Sequence, residues 1–84
     1  MEKPEIIQLI SSRVSSEILK IPDKIITAEE PLISSGLIDS FSLVDLALLI
    51  EDLFGVRIED FELNVDTFDT LNQLSDIVLS RIDQ

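Results

Sequence analysis

Asp39-Ser40 is the pair in this chain with the strongest claim to chemistry. The 84-residue sequence contains no His, Cys, Tyr or Trp, so nucleophiles and bases reduce to carboxylates and unactivated hydroxyls. An enzyme is the weakest reading of that set. Paired carboxylates could do acid–base work, but a helical domain this small implies no cleft to hold a substrate. The pair sits inside GLIDSFSLVDL, residues 36–46, where the most apolar stretch begins. An Asp or Ser ahead of an apolar run is an ordinary helix N-cap. A serine at a helix start also has a second use, because free N–H groups and the helix dipole accept a phosphate ester there. Ser40 is therefore a cap, a handle for a phosphodiester, or both. Ser11, Ser12, Ser34, Ser35 and Ser42 are alternative hydroxyls, but none combines a preceding Asp with a helix start.

Without cysteine, neither a disulfide framework nor a thiolate metal site can form. Asp60, Glu62, Asn64 and Asp66 alternate oxygen ligands in a way that loosely resembles a calcium loop. Val65 stands where such a loop needs Gly, however, and Leu71 where it needs a closing Glu, so no dedicated metal site is expected.

The elements that must position Asp39-Ser40 follow from periodicity. Ile7, Ile10, Val14 and Ile18 recur at helical spacing behind Pro4, predicting a helix from about Pro4 to Leu19 that Pro22 prevents from continuing. A long connection follows, from about Pro22 to Ile38. Ile25, Ile26, Leu32, Ile33, Leu37 and Ile38 are placed to pin it to the core, and Thr27–Glu30 to cap a single helical turn. A second helix is predicted from Asp39 or Ser40 to about Phe54, stopped by Gly55. An irregular segment then holds a short helix near Asn64–Phe68. Thr70-Leu-Asn-Gln73 reads as a capping box that opens a last helix along Leu71, Leu74, Val78 and Ile82. The expected fold is all-α: one small domain over residues 1–84, three main helices plus one short helix, and a long loop between the first and second. Forty-five per cent apolar residues with two Gly and three Pro suit such a folded domain.

Charge narrows the partners. Seventeen Asp and Glu against six Lys and Arg give −11, which argues against nucleic acid and anionic membranes and favours basic protein surfaces. With no Cys, no run of transmembrane length and no signal-peptide pattern at the N-terminus, a cytoplasmic protein is expected, and a monomer. Between Lys24 and Arg57 there is no cation, while Glu29, Glu30, Asp39, Asp45, Glu51 and Asp52 all fall there. On a helical wheel at about 100° per residue, Leu43, Leu46, Ala47, Leu49, Ile50, Leu53 and Phe54 form a core stripe. Ser40, Phe41, Val44, Asp45, Leu48, Glu51 and Asp52 share the opposite arc. Apolar anchors rimmed by one sign of charge make a protein-docking surface. The competing expectation is that Phe41 and Leu48 pack on the long loop or the last helix.

These residues resemble the acyl carrier protein family. The helix, long loop, G-x-x-D-S, amphipathic second helix, FG-V-R-I and FDT before the last helix occur in the family's order over nearly the whole chain. ITAEEPLISSGLIDSFSLVDL is the strongest part. The resemblance implies that Ser40 is the attachment site of 4′-phosphopantetheine, transferred from coenzyme A by a separate Mg²⁺-dependent phosphopantetheinyl transferase, and that Asp39 supports this modification. It implies that Phe41, Val44, Asp45, Leu48, Glu51 and Asp52 meet basic surfaces of acyl- or aminoacyl-loading and transfer enzymes. It also implies that the prosthetic group supplies the thiol this chain lacks and carries cargo as a thioester. In some members apolar space between the helices shelters that cargo. Leu46, Ile50, Phe54, Phe61, Phe68 and Leu71 would line it here, unless they are plain core. Two residues, Leu37 and Ile38, separate Gly36 from Asp39-Ser40 where fatty-acid-synthesis carriers usually have one. That spacing, with Phe41 and the long segment from Arg57 to Phe68, is similar to the freestanding D-alanyl and aminoacyl carriers. The Gly-Gly-x-Ser pattern of modular peptide-synthetase carriers is absent. The expectation is a non-catalytic carrier in a specialised pathway. The alternative is an unmodified acidic adaptor that uses the same helix face.

Overall fold

A computed structural model of the chain describes residues 2–39, 41–59, 62, 64, 66 and 69–82. Those residues form three α-helices and no strand: α1 (Lys3–Arg13), α2 (Ser42–Phe54) and α3 (Leu71–Ile82). This is the all-α class that the apolar periodicity predicts. The short helix expected over 64–68 falls largely outside the described residues.

Helix α1 opens with a proline in its first turn, where the missing N–H leaves no bond unmade. It runs on into a wider π-helical turn, Val14–Ile18, so helical structure ends close to where the sequence predicts. The terminator differs. Lys20 takes a left-handed conformation at φ 60°, the Leu19 N–H returns to the Val14 carbonyl, and the Ile21 N–H returns to Ser15. The chain has therefore left the helix before Pro22 can break it. The buried Ser15 hydroxyl reaches the Lys24 carbonyl at 2.8 Å and ties the start of the connection to the helix end.

Helix α2 ends on Gly55, whose left-handed φ of 68° lets its N–H close on the Glu51 carbonyl at 2.8 Å. Helix α3 begins with the expected capping box. The Gln73 N–H donates to the Thr70 hydroxyl at 3.2 Å, and the Thr70 N–H donates to Gln73 Oε1 at 3.1 Å.

The core forms where the apolar stripes meet. Ile6, Ile10 and Val14 come from α1 and its extension, Leu43, Leu46, Leu49 and Ile50 from α2, and Leu71, Leu74 and Val78 from α3. The connection adds Ile26, Leu32 and Ile38, and the stretch after α2 adds Val56 and Ile58. Truncating one such side chain to Ala costs about 2–5 kcal/mol, so the three buried residues of the connection make it part of the core. Ile33 and Leu37 pack partly against that core. Ile25 does not: it is 82% exposed. Neighbouring Ile26 takes the inward place, because adjacent residues in extended chain point to opposite sides. The turn expected over Thr27–Glu30 is a single bonded turn, with the Glu30 N–H on the Thr27 carbonyl.

Candidate functional site

The site is built around the junction between the connection and α2. Leu32–Ile38 form a closed ring: the Ile38 N–H returns to the Leu32 carbonyl at 2.8 Å and the Gly36 N–H to the Ile33 carbonyl at 3.0 Å. Gly36 adopts φ 82° to make the inner turn, a conformation that a Cβ would strain. The ring delivers Asp39 to the start of α2. There Asp39 Oδ1 accepts the Ser42 N–H at 2.9 Å, and the Asp39 carbonyl accepts the same N–H at 3.1 Å. The Asp39 side chain thus fills a capping role of the kind predicted for this pair. Regular helix starts at Ser42, after a Phe41 that already has helical backbone angles.

Ser40 lies outside the described residues. Its two chain neighbours, Asp39 and Phe41, are both exposed.

The exposed arc of α2 follows the wheel. Phe41 is 88% exposed, Val44 54% and Leu48 59%, so neither the connection nor α3 covers them. Asp45, Glu51 and Asp52 are exposed beside them. Among the described residues, Asp52 is the member of this trio with a cation in range. Arg13 Nη2 stands 3.7 Å from it, while Arg13 Nη1 is 2.6 Å from Glu17. Both acidic neighbours, Glu17 foremost, hold the guanidinium pKa above its ordinary value. A shallow cleft lined by Arg13, Glu17, Ile18, Asp45, Leu48, Leu49 and Asp52 therefore continues the arc towards the end of α1.

The proposed sheltering residues divide. Leu46, Ile50 and Leu71 are fully buried in the common core and Phe54 packs partly against it. Phe61 and Phe68 lie outside the described residues. The alternating ligands divide as well. Asp60 is not described, and the Glu62 carboxylate is engaged by Arg81, whose Nη1 donates to Oε1 at 2.9 Å and whose Nη2 pairs with Oε2. The Glu59 N–H adds a bond to Glu62 Oε1 at 3.0 Å. The Arg81 hydrogen bond, more than any other cause, pulls the Glu62 carboxyl below the usual range. Glu62 is a structural ion, not a free oxygen ligand.

Asp69 was not singled out by pattern, and it holds the ring. Its Oδ1 accepts the N–H of Ile33 at 2.8 Å and of Ser34 at 3.0 Å, and its Oδ2 accepts the Ser34 hydroxyl. These bonds, led by the Ser34 hydroxyl, hold its carboxyl below the ordinary value. The signal was present in FDT, but a bond across 35 positions leaves no periodic trace in sequence.

Comparison with known proteins gives a family and a relative. The family model for the phosphopantetheine attachment site matches residues 12–78. The chain is similar to an acyl carrier protein of Coprothermobacter proteolyticus, 30% identical over 82 residues that cover 98% of this chain and 96% of the relative. No solved structure matches significantly.

Proposed function

The chain belongs to the acyl carrier protein family, and from that premise we propose that it carries acyl or aminoacyl groups on 4′-phosphopantetheine attached to Ser40. Members of this family are non-catalytic carriers, and the group attached in such a domain is covalent 4′-phosphopantetheine. Once attached, it supplies a terminal thiol that holds cargo as a thioester, the chemistry this His- and Cys-free chain lacks. The chain's own residues present and orient that attachment. Asp39 caps α2 at Ser42, Gly36 and the Leu32–Ile38 ring set the approach, and the arc of Phe41, Val44, Asp45, Leu48, Glu51 and Asp52 offers an acidic, apolar-centred face to basic partner enzymes.

The observation that supports this reading most is the coincidence of two features at one end of α2. Asp39-Ser40 in the signature is followed by three exposed apolar side chains, Phe41, Val44 and Leu48, along one face of α2. A specialised pathway is favoured by the two-residue spacing between Gly36 and Asp39. Among the described residues no helix is long and apolar enough to cross a membrane, and a cytoplasmic setting is part of the proposal.

Intact mass and peptide mapping test it. After incubation with coenzyme A, Mg²⁺ and a phosphopantetheinyl transferase of broad specificity, one phosphopantetheine adduct is expected on Ser40. Ser40→Ala is expected to take none while keeping its helicity by circular dichroism. A wild-type protein that stays unmodified beside an active transferase returns the acidic-adaptor reading to first place.

A further inference from the structure

Among the described residues, the Asp69 carboxylate makes no bond to the helix it precedes. Thr70 and Gln73 serve that end of α3, and even the Asp69 N–H goes to Gln73 Oε1 at 2.6 Å. Among the described residues, Ile33 and Ser34 donate three bonds to the carboxylate, and the Asp69 carbonyl takes the Leu32 N–H at 2.6 Å. One residue next to α3 therefore grips the base of the ring whose exit is Asp39. Asp39 in turn fixes the first N–H of α2. The ring is also anchored by buried Leu32 and Ile38, so loss of the carboxylate loosens its placement without removing it from the core.

We infer that Asp69 is a positioning residue for modification at Ser40, acting through the Leu32–Ile38 ring and Asp39. The inference rests on the reading that Ser40 is the attachment residue. A displacement of about 1 Å at a reacting group can cost on the order of 100-fold in rate. The arc from Val44 to Asp52, which would dock the transferase, is held by the buried side of α2 rather than by the clasp. Loss of the clasp should therefore appear in kcat and leave KM for the carrier nearly constant.

The test is steady-state transfer from coenzyme A to the unmodified full-length protein, well below its melting temperature, with amide hydrogen exchange followed in parallel. Asp69→Ala is expected to lower kcat by roughly tenfold or more, with KM within about twofold and helicity retained. Asp69→Asn keeps an oxygen for the two amides and is expected to recover most of the rate. Val78→Ala, a core truncation in α3, is expected to lower the melting temperature while keeping kcat. Exchange at Ser34, Ile38 and Ser42 should accelerate in Asp69→Ala, and exchange at Leu74 should not.

Wild-type kcat in Asp69→Ala, no recovery in Asp69→Asn, or an equal loss in Val78→Ala would overturn the inference. If the wild type takes no adduct, or takes it elsewhere, the attachment reading fails and the proposed role in modification falls with it. The exchange data then report separately whether the clasp holds the start of α2.

Discussion

Glu62 keeps its charge in a position only 8% exposed, because Arg81 meets it with both guanidinium nitrogens and the Glu59 N–H completes the set. A buried carboxylate is tolerated only when it is paired and bonded in this way. Its carboxyl and that of Asp69 are both held below their ordinary values, which fixes the sign of a pH effect. A depressed folded-state pKa contributes stability that is complete above the unfolded value and is lost as pH falls through the folded one. Glu62→Gln is expected to cost about 1.5–3 kcal/mol in urea unfolding at pH 7. The gap between wild type and variant should narrow as pH falls below about 4. A gap that stays constant down to pH 2.5 would show that the Glu62 charge contributes nothing through Arg81.

Helix α2 shows how one element serves two masters. Its buried side places Leu43, Leu46, Leu49 and Ile50 in the core, and its other side leaves Phe41, Val44 and Leu48 in water. The buried side holds the helix, so substitutions on the exposed arc should leave the fold nearly untouched. Asp45→Lys combined with Glu51→Lys is therefore expected to fold normally and to weaken docking to loading or transfer enzymes at least tenfold at low salt. It should also flatten the salt dependence of that docking. Binding measured between 20 and 300 mM NaCl checks this, and unchanged affinity in the charge-reversed protein would remove these carboxylates from the proposed interface. The exposure of Phe41, Val44, Asp45, Leu48, Glu51 and Asp52 follows the wheel because a regular helix has one period. The connection before it has none, so nothing in the sequence separates Ile25 from Ile26.

For the molecule as a whole, the excess of acid outweighs any single ion pair. Five of the six Lys and Arg residues already stand within ion-pair distance of carboxylates: Lys3, Arg13, Lys24, Arg57 and Arg81. The chain as a whole still carries a net charge of −11. Self-repulsion at such a charge acts against the compact state and is screened by salt. The melting temperature at pH 7 is expected to rise by several degrees between 10 and 300 mM NaCl, followed by circular dichroism. A fall would mean that the paired cations outweigh the repulsion.

Much of this protein follows from local rules that its sequence already obeys. The three helices, the Thr70–Gln73 capping box, the Gly55 terminator and the two faces of α2 each depend on neighbours a few residues apart, so residue type and spacing determined them. The Asp39-Ser40 signature was equally legible, since it is one short string. Tertiary structure alone decided what joins distant positions. The Asp69 grip on Ile33 and Ser34, the Glu62–Arg81 pair and the choice of Ile26 over Ile25 depend on how separate segments meet, and meeting in space has no period along the chain. What ends the first helix belongs to the same class: its end near Leu19 is legible from Pro22, but the left-handed turn at Lys20 that closes it forms where Ser15 reaches Lys24.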